Sequence, residues 1–378
     1  MNEQIRQLFP ATQKYVYLNS AAVSPMPKVS ADAVYSQVRD VSENGDVNVL
    51  NWLETKKRCR DLVAEMLKVK AENVAFVRNT SDGFSTVANG LDWAEGDNIV
   101  TFAKEFPSNF YPWRRIRDVF GIELRTVPER DGRIDLNEFI GLIDANTKLV
   151  SISAVQFNSG FRADLERIGA AARKVDALFA VDMIQGFGAI QFDLPNQLVD
   201  VACGASHKWL FSPYDCGAVI YKNLELAKSA HSQEGSYLDI FSDEGAQGFN
   251  PSDYQIQLTR RVRGLPLWFS LAMHGTDRYE QAIERGIELA RIAGRMIKSS
   301  KHTQLVREPS LSCVLFRRLG WSPEDYRNWT YKNHKSGYAL VVPTKVRSGN
   351  EFETVARFCF INPDTTENDI KGILDTMI

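Results

Sequence analysis

The sequence predicts an α/β protein: a large domain around a mostly parallel, buried sheet, then a smaller α+β domain. Three observations predict it. Seven short apolar, β-branched runs recur between residues 73 and 221. Helix-period segments separate most of them. After about residue 250 this alternation stops and a long amphipathic helix begins.

In chain order the runs are "NVAFVR" (73–78), "NIVTFA" (98–103), "IELRTV" (122–127), "LVSISAV" (149–155), "ALFAVD" (177–182), "LVDVACG" (198–204) and "GAVIY" (217–221). Their near-continuous apolar character fits strands covered on both faces. "LERIGAAARKV" (165–175) has helical spacing and serves as a crossover. "DRYEQAIERGIELARIAGRMI" (277–297) places Tyr279, Ile283, Ile287, Ala290, Ala293 and Ile297 on one face of about five helical turns. "CVLFRRL" (313–319), "YALVVPT" (338–344) and "VARFCFI" (355–361) are further short runs. "TTENDIKGILDTMI" opens on cap-prone and acidic residues and reads as a closing helix. The expected division is 15–260 for the large domain and 261–378 for the small one, with segment 1–14 joining the latter.

The 378 residues suit one large domain plus a smaller one. A net charge of −2 gives no electrostatic case for nucleic acid or an anionic membrane surface. No apolar run approaches the roughly 20 residues that span a bilayer. "MNEQIRQLFPATQKY" lacks the basic start and apolar stretch of a secretory signal. Cys59, Cys203, Cys216, Cys313 and Cys359 are odd in number and scattered, with no C-x-x-C and no H-E-x-x-H. The expectation is a reducing, cytoplasmic setting without a disulfide framework or metal site.

In parallel sheets, ligands bind beyond the carboxyl ends of the strands. Thr80–Ser81, Lys104–Pro107, Gln156, Asp182–Gln185 and Ser206–Lys208 follow such ends. "RNTSDGF" (78–84) reads as a strand end and helix start, where Thr80 and Ser81 can cap the helix or hold a phosphate. Asp182 can cap a turn or meet a protonated ring nitrogen. Gln185, three residues on, can donate or accept hydrogen bonds. "GFGAIQ" is not a dinucleotide loop, because Gln191 stands where the third glycine would be. Lys208 is either a surface lysine or an amine in a dry cleft, nucleophilic toward carbonyls. Pyridoxal phosphate uses such an amine, and Asp182, Thr80, Ser81 and His207 supply its other needs.

These residues resemble the class V aminotransferase family of fold-type-I pyridoxal-phosphate enzymes, which includes cysteine desulfurases, kynureninases and isopenicillin-N-epimerase-like proteins. The resemblance runs from "YLNSAAVSPMP" (17–27) through "RNTSDGF", "EFPSNFYPWRR", "VDMIQG" and "SHKWL" to "ARFCFINPDTTENDI". It implies a seven-stranded, mostly parallel sheet and a homodimer with its site at the subunit interface. Lys208 would be the Schiff-base lysine and the proton shuttle at the substrate's Cα. Asp182 would pair with the pyridine nitrogen and Gln185 with the 3-hydroxyl oxygen. Thr80, Ser81 and His207 would hold phosphate, with Ser206 taking a further contact, because Ala205 stands where relatives carry a serine. Phe106 replaces a stacking histidine, and Gln156 lies by the cofactor's edge. Arg357 would clamp the substrate's α-carboxylate, while Asn19 and Ala22 line the substrate side. Thr259 would reach the phosphate across the dimer.

Desulfurases carry a mobile-loop cysteine, whereas "LVVPTKVRSGNEFETVARF" has none before Cys359. Cys359 itself reads as a buried small hydrophobe. "SHKWLFSPYDCGAVIY" and "QLTRRVRGLPLWFSLAMHG" also resemble group II amino-acid decarboxylases. The first expectation is a lyase of C–S or other β-elimination type acting at Cα or Cβ of an amino acid, a small-molecule substrate. Transamination, epimerisation and decarboxylation stay open, as does a catalytically silent cofactor-binding partner protein.

Overall fold

A computed structural model describes residues 6–231, 264–348 and 351–378. The chain opens with helix α1 (Pro10–Lys14), strand β1 (Val16–Tyr17) and two long helices, α2 (Lys28–Asn44) and α3 (Val49–Leu67). β2 (Val74–Val77), α4 (Thr80–Gly90), β3 (Asn98–Phe102), α5 (Tyr111–Phe120), β4 (Glu123–Val127), α6 (Leu136–Gly141), β5 (Thr147–Ser153) and α7 (Leu165–Lys174) then alternate as the sequence predicts. β6 (Leu178–Asp182), β7 (Val201–Ala205), β8 (Gly217–Tyr221) and α8 (Glu225–His231) follow.

All seven runs are strands of one sheet, in the order β2–β8–β7–β6–β5–β3–β4. Only β8 runs antiparallel to its neighbours. The other six carboxyl ends therefore open on one edge. β2, β3, β6, β7 and β8 are buried almost throughout, which is why they read as unbroken apolar runs. β4 departs from that expectation: as an edge strand it leaves Glu123 and Thr126 exposed. Two apolar layers cover the sheet. One includes Val63, Leu67, Phe102, Phe139 and Phe179; the other includes Phe84, Val87, Trp113 and Ile116.

Local signals place the helices. Asn79 caps α4 by accepting from Asp82 N at 3.1 Å. The cap is thus one residue before Thr80 and two before Ser81, which leaves the Thr80 hydroxyl unused by the helix. Arg78 pairs with Asp82 at 2.7 Å across the same turn. Asp164 caps α7 through Arg167 N at 3.1 Å. Gly204 in β7 has a steric reason: a Cβ there would lie 2.7 Å from Met183 Cγ, in the turn after β6.

Beyond the sheet come α9 (Gly264–His274), α10 (Thr276–Ser299), β9 (Thr303–Leu305), β10 (Cys313–Arg318), α11 (Pro323–Ser336), β11 (Ala339–Leu340), β12 (Thr344–Ser348), β13 (Glu351–Cys359) and α12 (Glu367–Asp375). α9 packs on the first unit, with Leu267 and Leu271 in its core and Ser270 Oγ 2.8 Å from Ser30 Oγ. α10 lays Leu289, Ala290, Ala293 and Ile297 over Val314, Phe316 and Phe358 of the antiparallel sheet β12–β13–β10–β9. Capping boxes at Ser322/Asp325 and Thr366/Asp369 start α11 and α12. β1 pairs parallel with β11, and Asn19 bridges to Cys359, so residues 16–19 tie the N-terminal chain to this unit. No helix of the described residues is long and apolar enough to cross a membrane.

Candidate active site

The carboxyl ends of β2, β3, β5, β6 and β7 share one edge of the sheet, and Lys208 lies on that edge. The lysine follows β7 in a turn pinned from the N-terminal chain. Ser24 N donates to His207 O at 3.0 Å, and Ser24 Oγ donates to Lys208 O. Lys208 is only 7% exposed, and its Nζ lies 5.5 Å from the centre of the Phe106 ring. Burial lowers its pKa to about 8, opposed by nearby Asp182 and assisted by Arg357. An amine in this state is available in its free form near neutral pH.

Asp182 ends β6 and is 1% exposed. Its Oδ1 accepts from Ile184 N at 2.9 Å, while Oδ2 has no partner among the described residues. Burial raises its pKa to about 7, opposed by the Ile184 N–H and reinforced by Glu105. A buried carboxylate oxygen without a donor is costly, so the site is short of one proton donor or cation.

Glu105 lies within the strand-end segment Lys104–Pro107, but the sequence alone does not single it out. It sits in "KEFPSN", just before Phe106, and is buried. Its Oε1 accepts from Ser153 N at 2.7 Å and Gln156 Nε2 at 2.8 Å, and its Oε2 accepts from Ser153 Oγ. Burial raises its pKa and these bonds oppose the rise. Glu105 thereby fixes Gln156, whose Oε1 has no partner among the described residues. Its place after β3, between Lys104 and Phe106, is its signal in the sequence, and its partners are 48 and 51 residues away.

Gln185 donates to Ala21 O at 2.9 Å and accepts from Trp209 Nε1 at 3.0 Å, which locks its side chain beside the cleft. Ala21, Gln156, Gln185, Trp209, Cys313 and Arg357 line one cavity. Ala22, next in the chain, is exposed, so its neighbour Ala21 forms the wall. Asn19 is half-buried, and its carbonyl accepts from Ala22 N at 3.0 Å. Arg357 lies on β13, donates from one Nη to Phe157 O at 3.0 Å, and lines the cavity. Phe157 in turn meets Phe106 edge to face at 5.3 Å. Phe106 remains 37% exposed, so its ring keeps open surface.

Thr80 is 2% exposed, and its Oγ1 has no partner among the described residues. Ser81 Oγ donates to Ser108 Oγ at 2.9 Å. His207 packs on Tyr214, ring centres 4.9 Å apart and planes tilted by 38°, and burial, with Lys208 adjacent, lowers its pKa to about 4. Its imidazole is therefore neutral at physiological pH. The Ser206 hydroxyl is engaged already, with Cys216 O at 2.8 Å and with Ser212 Oγ. The free hydroxyl expected of Ser206 is thus spent on holding the β7–β8 junction. Thr259 lies outside the described residues.

Comparisons with known proteins bear on the fold and the family. A probable cysteine desulfurase of Methanothermobacter thermautotrophicus is 29% identical over 57% of this chain and 55% of its own length. One of Pyrococcus abyssi is 31% identical over 59% and 57%. The chain thus spans little more than half the length of these curated relatives. Among solved structures, the Escherichia coli cysteine desulfurase CsdA superimposes with a TM-score of 0.82 at 19% identity, covering 100% of this chain and 97% of that one. The cystine C–S lyase C-DES, in complex with its reaction product cysteine persulfide, gives 0.81 at 19%, covering 98% of each. These structures share the fold-type-I architecture of the seven-stranded sheet. Residues 16–339 match the family profile described as aminotransferase class-V, and the chain belongs to that family of pyridoxal-phosphate-dependent enzymes.

Proposed function

We propose that this chain holds pyridoxal 5'-phosphate at the open edge of its large sheet and acts at Cα or Cβ of an amino acid. Its reaction on this reading is a lyase of C–S or other β-elimination type. The observation that carries the reading is the buried pair of Lys208 and Asp182, an amine shifted toward its free form beside a carboxylate with one unpaired oxygen.

The residues fit the cofactor. Asp182 Oδ2 lacks the donor that a protonated pyridine nitrogen would supply. Thr80 Oγ1 lacks a partner at the first turn of α4, where free backbone N–H groups favour a phosphate. Ser81 and the neutral His207 complete that cradle, with Thr259 of a second subunit added in a homodimer. Phe106 would offer its face to the ring, and Gln156 and Gln185 would hydrogen-bond at its edge. When bound, the cofactor supplies a sink for the electron pair left at Cα.

The chain's own groups do the rest. Arg357 fixes the substrate's α-carboxylate by charge-assisted hydrogen bonds, with Asn19 nearby and Ala21, in place of Ala22, in the wall on the same side. Lys208, as the free amine, takes the Cα proton and returns it. Burial of Lys208 and Asp182 excludes water, which strengthens every charge interaction between them. Glu105 holds Gln156 in place. C–S cleavage is favoured because the named relatives act on that bond, while residues 340–357 here carry no cysteine to receive sulfur. The division into domains 15–260 and 261–378 and a cytoplasmic location belong to the same proposal.

Two measurements test it. Borohydride should fix the cofactor on Lys208, identified by peptide mapping; protein that takes up no cofactor sinks the reading. A panel of amino acids should yield pyruvate from cysteine or cystine. Carbon dioxide release, Cα deuterium exchange without elimination, or keto-acid-dependent turnover would each assign a different reaction. Uptake of cofactor with none of these products would mark a catalytically silent binding protein.

A further inference from the structure

The sequence gives no reason to pair any two of the five cysteines, yet the tertiary structure brings two together. Cys313 opens β10 and Cys359 closes β13, and the antiparallel register sets them directly opposite. Phe360 N donates to Ser312 O at 2.8 Å, so residues 312 and 360 form a hydrogen-bonded pair. Cys313 and Cys359, one step along, form the non-hydrogen-bonded kind, in which Cα atoms approach to about 4.5 Å. A disulfide spans Cα separations of about 4.4–6.8 Å. Both thiols are free, and their Sγ atoms are 3.3 Å apart.

Their surroundings differ. Cys313 is half-buried and lines the cavity with Gln156, Gln185, Trp209 and Arg357. Cys359 is fully buried against Ala21, Ala189, Trp209 and Ile361. The S–H of Cys313 donates to Cys359, and with Arg357 nearby this holds the Cys359 pKa down to about 7, although burial opposes it. Thiolate is the reactive form, and exchange is fastest when the attacking thiol titrates near ambient pH.

We propose that Cys313 and Cys359 are a modification site, a dithiol in the cavity wall that small-molecule disulfides oxidise reversibly to an intramolecular disulfide. The hydrogen bond and burial hold the Cys313 pKa up. Cys313, the accessible thiol, therefore passes its proton to the Cys359 thiolate as it attacks the reagent RSSR; Cys313–S–SR forms, and the departing RS⁻ takes that proton back from Cys359 and leaves as RSH. Cys359 then attacks Cys313 Sγ, the S–SR bond breaks, and a second RSH leaves. The protein loses two hydrogen atoms and RSSR becomes two RSH. Closure removes a thiolate from beside Lys208 and Arg357. The proposal rests on the strand register and thiol geometry, and needs neither the cofactor nor the proposed reaction.

The test uses the full-length native protein and oxidised glutathione. After acid quench, denaturation and alkylation, peptide mapping should find Cys313 joined to Cys359, two fewer alkylated cysteines, and recovery of both with dithiothreitol. Cys203→Ala should leave the joined peptide intact, whereas Cys313→Ser and Cys359→Ser should each abolish it. Because a buried serine at 359 can disturb folding, phenylarsine oxide serves as a second probe on the unaltered protein. One equivalent should protect both thiols from alkylation. Five cysteines still open to alkylation, a glutathione adduct persisting on Cys313, a different joined pair, or no protection by the arsenical would each overturn the proposal.

Discussion

The protonation of Lys208 can be measured one residue at a time. An ordinary lysine titrates near 10.5, so at pH 7.5 only about one in a thousand is free amine. Lys208, at about 8, is about one-quarter free amine at that pH. The difference is a factor of about two hundred in available nucleophile. Competitive labelling of cofactor-free protein with acetic anhydride across pH 6–11, read by peptide mass spectrometry, should give Lys208 a midpoint near 8. Exposed lysines such as Lys70 serve as internal controls. The charges around the amine predict two shifts of opposite sign. Asp182 favours the ammonium, so Asp182→Asn should move the midpoint down. Arg357 opposes the ammonium, so Arg357→Ala should move it up. A wild-type midpoint near that of the exposed lysines, or shifts of the same sign in both variants, would refute the claim that burial and these two charges set the amine.

Arg357→Ala should also raise KM for the amino-acid substrate by about ten- to a hundredfold, since a charge-assisted bond is worth about 1.5–3 kcal/mol; an unchanged KM in steady-state kinetics would remove its carboxylate role. Thr80→Val keeps the shape but deletes a buried hydroxyl without a partner, so denaturant unfolding of the cofactor-free protein should show stability equal or higher by about 1 kcal/mol. The same variant should bind pyridoxal phosphate about tenfold more weakly by equilibrium titration. His207 has a folded-state pKa of about 4, below the unfolded value near 6.5. The unfolded chain therefore binds its proton first, and His207 should draw stability down as pH falls from about 6.5 toward 4. In His207→Gln, denaturation midpoints should fall less over that window. Gly204→Ala would put its Cβ 2.7 Å from Met183 Cγ and should cost about 1–3 kcal/mol in thermal or denaturant unfolding.

The strands of the large sheet were legible because burial on both faces leaves an unbroken apolar run, as in "ALFAVD" and "GAVIY". β4 was legible as a strand but not as an edge, because its exposure depends on having no outer neighbour. The N-terminal helices α2 and α3 went unread, although residues 28–67 are almost wholly helical. Their exposed Tyr35, Val38, Val41 and Leu50 blur the apolar stripe that marks a helix. Of the site, the residues at strand ends were legible, since a parallel sheet puts those ends on one edge whatever the intervening sequence. Thr80, Gln156, Asp182 and Lys208 are all such residues.

By itself the sequence determined the α/β alternation, the strand-end candidates and the likeness to a cofactor-binding family, because local periodicity and short motifs carry those. Only the tertiary structure decided the states and partners of the groups. It buried Lys208 under Phe106, left Asp182 Oδ2 without a donor, bound Gln156 to Glu105 and set Cys313 against Cys359. Desolvation and contacts between residues 46 or more apart in the chain set those states, and neither is written in any local stretch of residues.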